Sequence, residues 1–401
     1  MIQTIAFLIL TVLVVIALAG AIILAVCRLI AVARNKATPR QFRRLKVMAT
    51  LLAAAIMLNA GLVVISQLTA STPRIQDEKG NTPANSIAEL TELELNGRKQ
   101  WISIRGFDDS KPVLLFLAGG PGGTQLAAVR HELAELEKHF VIVNWDQPGS
   151  GKSYYAEKTQ NIIVDTYVQD GHALTEYLKE RFLQEKIYLV GESWGSALGV
   201  FLIDMHPESY HALIGAAQMI DFAETERMDY AKAMEIALMN NDEAMLKTLE
   251  ENGLPPYFGK DVTWKSAAYI NYLSAYMAHN PDIHNPGYNT LRDIFSPEYG
   301  LLDKINFARG VINTFNHVYQ QLYDIDLRED YTKLDVPVYF FIGRHDVNAP
   351  TSLVEEYMAV LEAPSKEIVW FEHSGHSPWI NERDRFAKEV LSCFSENKTQ
   401  E

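Results

Sequence analysis

The stretch Ile187-Tyr188-Leu189-Val190-Gly191-Glu192-Ser193-Trp194-Gly195-Ser196 constrains this chain more than any other. It opens as a short apolar run rich in Ile, Val and Tyr, the pattern of a buried strand. It ends in Gly-x-Ser-x-Gly, and Ala197 to Met205 then reads as a helix that stops before Pro207. A strand that turns this sharply into a helix holds its central residue on a strained corner. Glycine is required at 191 and 195 because side chains there would meet the neighbouring backbones. Ser193 then projects from the C-terminal edge of a sheet, as in a nucleophile elbow. Average residue frequencies produce such a string by chance in about one chain of this length in ten, so its context decides.

That context is a strand–helix alternation. Glu92 to Ile104 alternates polar and apolar residues around Asn96-Gly97, a strong hairpin signal. Val113 to Leu117 and Phe140 to Trp145 are compact apolar runs, expected as buried strands of a largely parallel sheet. Asp165 to Phe182 has helical spacing and leads into the elbow strand, and Ala212 to Ala217 reads as the next strand. From Asp221 to about Tyr331 the rhythm breaks into a helical stretch rich in Met, Tyr and Asn. It resumes with a strand at Val338 to Ile342, a helix at Ser352 to Leu361, a strand at Glu367 to Phe371 and a helix at Glu382 to Cys393. The pattern predicts one α/β sheet with an all-helical insertion, rather than two domains in series.

The N-terminal part has a different composition. Ile5 to Val26 carries no charge and as a helix is about 33 Å long, enough to span a bilayer. A cleaved signal peptide fits less well, since a basic start and a small-x-small cleavage site are missing. Val47 to Ser66 is a second apolar run, interrupted only by Thr50 and Asn59, with a buried or interfacial helix as the rival reading. The loop between them, Arg28 to Lys46, is wholly basic, and short basic loops stay on the cytoplasmic side. A two-pass hairpin therefore sends everything after Ser66 outward, on a Thr-, Pro-, Asn- and Ser-rich tether. Residues 1–70 hold seven Lys and Arg and no acid; removing those seven charges from the whole-chain −14 leaves −21 for residues 71–401. So acidic a remainder argues against a nucleic-acid partner. The two cysteines, Cys27 and Cys393, give no disulfide framework, and no Cys/His spacing marks a metal site.

A serine hydroxyl becomes a nucleophile when a base takes its proton, and the base needs a third group to orient it. On this kind of sheet the chain order is Ser, acid, His. Asp346 follows the predicted strand Val338–Ile342, and His376 follows Glu367–Phe371, so both leave the same sheet edge as Ser193. His345 and His373 are the competing histidines; His376 is favoured because Gly375 beside it permits a tight turn. Asp335 lies at the wrong end of its strand. An oxyanion hole needs two backbone N–H groups. Trp194 offers one, and the loop Ala118-Gly119-Gly120-Pro121-Gly122-Gly123 offers the other. A phosphate-binding role for that loop is disfavoured, because the Lys and Ser/Thr of a P-loop are missing.

Together with Asp146-Gln147-Pro148-Gly149-Ser150-Gly151-Lys152-Ser153, Gly343-Arg344-His345-Asp346 and Gly375-His376-Ser377, these motifs resemble the proline iminopeptidase branch of the α/β-hydrolases. Five motifs fall in register over about Val113 to Phe394. The resemblance implies an α/β-hydrolase fold, a mostly parallel sheet flanked by helices with a helical cap insertion, here preceded by the transmembrane hairpin. It implies no cofactor, and release of an N-terminal residue, often proline, from short peptides. It gives Ser193, Asp346 and His376 the nucleophile, acid and base roles, and Gly120 and Trp194 the oxyanion hole. Two positions depart from the family pattern: Ala118 replaces His and Pro148 replaces Arg. The family binds the substrate's free amino group with cap carboxylates, for which Glu224 and Glu226 are the candidates here.

The expected layout is a hairpin with basic loop at 1–68 and a tether at 69–88. The first part of the core follows at 89–220, the cap at 221–331, the rest of the core at 332–395 and a tail at 396–401. The leading functional expectation is a membrane-tethered serine aminopeptidase whose catalytic part lies outside the cytoplasm. The alternative is a carboxylesterase or lipase-like hydrolase of small esters, favoured by the Met- and Tyr-rich cap; a non-catalytic tethered receptor is the third class.

Overall fold

The computed structural model describes residues 2–285 and 287–396. The chain forms two compact units, Met1–Ser71 with Phe295–Ile305, and Thr72–Ile294 with Asn306–Glu401.

The first unit is built on two long apolar helices, α1 (Ile2–Ala33) and α2 (Pro39–Leu68). Both are long and apolar enough to cross a membrane. They pair antiparallel: Asn59 donates to Thr11 Oγ1 at 2.9 Å, Gln3 donates to Thr69 Oγ1 at 3.1 Å, and Gly20 lies against Met48. Thr38 starts α2 with a capping box, its hydroxyl taking the Gln41 N–H while the Gln41 side chain takes the Thr38 N–H. The end of α2 grips the segment Phe295–Ile305. Leu301 N–H donates to the buried Ser66 Oγ at 2.9 Å, and Gln67 Nε2 donates to Asp303 Oδ1 at 2.9 Å.

The second unit is organised by one eight-stranded sheet in the order β1-β2-β4-β3-β5-β6-β7-β8. Strands β1 (Ile87–Leu95) and β2 (Arg98–Gly106) form an antiparallel hairpin. Its two-residue turn works because Asn96 and Gly97 both take positive φ, 50° and 79°. The antiparallel β2–β4 pairing joins this hairpin to six mutually parallel strands. These are β3 (Val113–Leu117), β4 (Val141–Asp146), β5 (Ile187–Glu192), β6 (Tyr210–Ala216), β7 (Val338–Gly343) and β8 (Lys366–Phe371).

The parallel strands are apolar at almost every position because both faces are covered. Along β3, Leu114 and Phe116 enter one core while Val113, Leu115 and Leu117 enter the other, the two-residue period of a strand. Full burial of each such side chain contributes about 1.5–3 kcal/mol. One face is covered by helices α3 (Leu126–Glu132) and Arg383–Glu396, the other by α4 (Val164–Phe182) and α5 (Trp194–Met205).

Between β6 and β7 the chain departs into helices, among them α6 (Phe222–Met239), α7 (Glu243–Asn252), α8 (Val262–Ala278) and α9 (Thr290–Ile294). An isolated antiparallel bridge between Asp221 and Asp326 ties the point where the chain leaves the sheet to the point where it returns.

Candidate active site

Strand β5 lies between β3 and β6, buried along its whole length, and ends at Glu192. Ser193 then takes φ 54° and ψ −122°, and α5 begins at the next residue. For a residue with a side chain this conformation costs about 1–3 kcal/mol, so the surroundings must enforce it. They do. A Cβ at Gly191 would run into the carbonyl of Gly195, and one at Gly195 into the carbonyl of Leu117. The Ser193 N–H donates to Ala216 O at 3.0 Å, and the Ser196 hydroxyl donates to Ser193 O at 2.5 Å while accepting the Met219 N–H at 3.1 Å. Trp194, as first residue of α5, carries an N–H that the helix itself leaves unpaired.

Asp346 and His376 lie in the loops that follow β7 and β8. The Asp346 carboxylate is buried and accepts the backbone N–H groups of Asn348 at 2.8 Å and Ala349 at 3.0 Å. His376 Nδ1 sits 3.0 Å from Asp346 Oδ2, which leaves Nε2 as the nitrogen able to take up a proton. Burial alone would pull the imidazole pKa down. The Asp346 charge, its hydrogen bond and the Glu192 charge together outweigh that and push it up to about 9. His373 has its Nδ1 3.0 Å from Asp282 O and stacks on His284 at 3.9 Å; His345 lines a separate surface groove.

Ser193 and His376 line one cavity of about 400 Å³ together with Gly119, Gly120 and Glu192. Ile270, Phe307, Val311 and Phe315 give it an apolar wall, and Tyr288 and Asp293 add polar groups. The size and mixed lining suit a small-molecule or short-peptide site. The glycine loop is held in place by Gln147, whose amide donates to Ala118 O at 3.1 Å and accepts the Trp194 indole N–H at 3.0 Å. A single side chain thus ties the loop bearing Gly120 to the first turn of α5.

The two cap glutamates expected to act as a pair are not brought together. They stand two apart on α6, so they leave the helix on different sides. Glu224 is partly exposed and accepts from Arg328 at 2.6 Å. Glu226 is fully buried and accepts from Ser266 at 3.0 Å and from the Tyr269 hydroxyl. Burial pushes its pKa up to about 7, against the lowering effect of those hydroxyls. Neither is among the lining residues of the Ser193 cavity.

The acids that do line it, Glu192 and Asp293, escaped the sequence reading. Glu192 had a signal, an ionisable side chain at the end of an otherwise apolar strand. Asp293 had none: it sits in a five-residue helix inside the cap. Its Oδ1 accepts from Arg292 at 2.7 Å, while Oδ2 is buried without a hydrogen-bond partner. Among the described residues no group of three or more His, Cys, Asp or Glu is placed to hold a metal ion.

A family model described as serine aminopeptidase, S33, matches residues 123–270. The probable aminopeptidase YbaC of Bacillus subtilis (strain 168) is 30% identical over 308 residues, covering 75% of this chain and 95% of that protein. Among solved structures, the proline iminopeptidase of Mycobacterium smegmatis is similar with a TM-score of 0.56 at 16% identity, over 78% of this chain and 99% of its own. A bacterial membrane phospholipase A is similar with a TM-score of 0.56 at 16% identity, over 90% of this chain and 99% of its own. At such identities the two structures speak for the fold alone. Taken with the elbow, the parallel sheet and the helical insertion, the YbaC match over nearly the whole of that protein shows that the chain belongs to the α/β-hydrolases, in their proline iminopeptidase-like branch.

Proposed function

We propose that this hydrolase is a serine aminopeptidase that removes an N-terminal residue from short peptides through an acyl-enzyme, tethered to a membrane by its N-terminal helices. The observation that carries the reading is the shared cavity: Ser193 and His376 open onto it, Asp346 backs His376, and Asp293, whose buried Oδ2 has no hydrogen-bond partner, is one of its lining residues.

In the reaction His376 Nε2 takes the Ser193 hydroxyl proton as Oγ attacks the carbonyl carbon of the first peptide bond. The imidazolium is balanced by Asp346, and the N–H groups of Gly120 and Trp194 receive the developing oxyanion. His376 returns the proton to the leaving amine, the C–N bond breaks, and the first residue remains as an ester on Ser193. Water attacks that ester with His376 again as base, releasing the free amino acid and restoring the hydroxyl. Asp293 takes the place expected of the cap glutamates: its free, buried oxygen is suited to a substrate ammonium group, whose hydrogen bonds to a carboxylate are charge-assisted.

The apolar wall of Ile270, Phe307, Val311 and Phe315 favours a small-ester hydrolase as the second reading. A panel of alanyl and prolyl amides, their N-acetylated forms and p-nitrophenyl esters separates the two. The aminopeptidase reading expects the free-amine amides to be turned over best, and Ser193→Ala to abolish turnover. Preference for the esters, with no penalty for N-acetylation, would overturn it. The placement outside the cytoplasm rests on the basic stretch 28–46, which covers the end of α1, the connection and the start of α2, and protease shaving of intact cells tests it: a catalytic part left uncut would lie inside.

A further inference from the structure

The carboxylate beside the nucleophile is buried and held by three side-chain donors, and no step of the scheme above uses it. Glu192 is only 3% exposed. Its Oε1 accepts the Tyr288 hydroxyl at 3.0 Å and the Ser377 hydroxyl at 3.3 Å, and its Oε2 accepts Gln125 Nε2 at 2.9 Å. Gln125 Nε2 also contacts the Tyr288 hydroxyl, which closes the cluster. Tyr288 is 41% exposed, but burial at its hydroxyl end, and then the Glu192 charge, raise the phenol above its ordinary pKa, so it stays a donor.

The three donors come from three different places. Gln125 follows the glycine loop, Ser377 is the neighbour of His376, and Tyr288 belongs to the helical insertion. The glycine loop itself rests on the same carboxylate: a Cβ at Gly119 would collide with Glu192 Oε2. An ionised carboxylate only accepts, with about four lone-pair sites, so it can gather several donors where an amide would oppose some of them. Bonds to such a charge are about twice as strong as neutral ones. Among the described residues its hydrogen-bond partners are neutral groups, and its charge acts in the same direction as Asp346 on His376.

We propose that Glu192 is a positioning residue for the hydrolytic reaction: it holds the Gly120 loop, the His376 loop and Tyr288 in register around Ser193, and its charge steadies the imidazolium formed when His376 takes the serine proton. The inference rests on the serine-nucleophile reading. A tetrahedral intermediate needs the oxyanion donors and the imidazole fixed at one distance from each other, and misplacement of about 1 Å can cost about a hundredfold in rate. Glu192 spans both loops from the position immediately before the nucleophile.

The test uses the full chain with Glu192→Gln, Tyr288→Phe and Ser377→Ala, followed by steady-state kinetics across pH and by the rate of fluorophosphonate labelling. Glu192→Gln is expected to lower kcat by about 10–100-fold, the scale of losing charge-assisted contacts, with KM within about twofold. The midpoint of the kcat/KM pH profile should move downward toward that of an ordinary histidine, and labelling should slow in parallel with kcat. Tyr288→Phe removes one donor and no charge, so it should lower kcat a few-fold without moving the midpoint; it reports on the cluster even if Glu192→Gln does not fold. A folded Glu192→Gln with wild-type kcat and pH midpoint overturns the proposal. So does a raised KM at unchanged kcat, which would make Glu192 a substrate contact. So does wild-type kcat in Tyr288→Phe where Glu192→Gln cannot be purified folded. A wild-type protein that resists the fluorophosphonate fails earlier, because the serine reading itself then falls.

Discussion

His376 Nδ1 lies 3.0 Å from Asp346 Oδ2, while Asp346 Oδ1 accepts two backbone N–H groups from Asn348 and Ala349. The carboxylate is therefore fixed by its own loop before it meets the imidazole. The histidine is oriented from behind, with Nε2 left for chemistry.

In the proposed reaction this pair sets the pH dependence. The base form of His376 is the neutral one, and its pKa is raised to about 9, so kcat/KM should climb with pH and level off above that region. The effect on stability has the opposite sign. A histidine whose folded pKa exceeds its unfolded value of about 6.5 contributes stability fully below pH 6.5, and loses it as pH rises through about 9. Asp346→Asn should cut kcat by about 10⁴-fold through the wrong tautomer and remove that slope from the melting curve. Rate profiles and thermal melts from pH 5 to 10 measure both.

Asp293→Asn should act on binding and leave the chemistry alone. The buried Oδ2 has no partner, and an amide in its place offers no charge to an ammonium group. KM for free-amine substrates should rise about 10–100-fold, the range for a lost charge-assisted hydrogen bond. N-acetylated substrates should be indifferent to the change. An equal loss for both substrate classes would show that Asp293 shapes the cavity without recognising the amine.

Glu226 and Asp229 make a prediction about stability. Asp229 is fully buried with its Oδ1 unpartnered, and burial, then Glu226 and Asp346, hold its pKa well above the ordinary range. Glu226 is pushed up to about 7. Acids with raised folded pKa values favour the fold in their protonated form, fully below the unfolded pKa, and that contribution is lost as pH rises through the folded value. Glu226→Gln, neutral at every pH, should therefore melt higher than wild type at pH 8, by roughly 2–4 °C. At pH 4 the difference should vanish. Calorimetry at the two pH values measures it.

Much of the site's placement was legible because it rests on local signals. Strand ends next to Ser193, Asp346 and His376 follow from short apolar runs bounded by glycine and polar turns, and a parallel sheet puts such ends on one edge. Local signals failed where contacts from distant segments decide the structure. The helix after the elbow begins at Trp194 rather than Ala197, since Ser193 itself takes the turn. The last helix, expected from Glu382, starts one residue later at Arg383, and the Glu382 carboxylate just before it accepts the His373 N–H at 2.8 Å and the Ser374 hydroxyl at 2.7 Å. Glu224 and Glu226 looked paired only in sequence; Arg328 takes one and a group of hydroxyls takes the other.

The grip of α2 on Phe295–Ile305 can be tested within the intact chain. Gln67 makes two hydrogen bonds there, donating to Asp303 Oδ1 at 2.9 Å and accepting the Leu302 N–H at 3.2 Å, and Gly300 packs directly on its side chain. Ser66 adds the Leu301 N–H, and the Ser71 N–H donates to Pro297 O at 3.0 Å. Each of these bonds contributes about 0.5–1.5 kcal/mol net. Gln67→Ala removes two of them. Amide exchange at Leu301 and Leu302 should then speed up by about 10-fold or more, since 1.4 kcal/mol of local opening free energy is a factor of ten. Strand β5, whose amides are paired within the sheet, should exchange at the wild-type rate. Hydrogen exchange with mass spectrometry on the detergent-solubilised full chain reads both segments at once. Unchanged protection at 301–302 would mean that the segment keeps its conformation without help from α2.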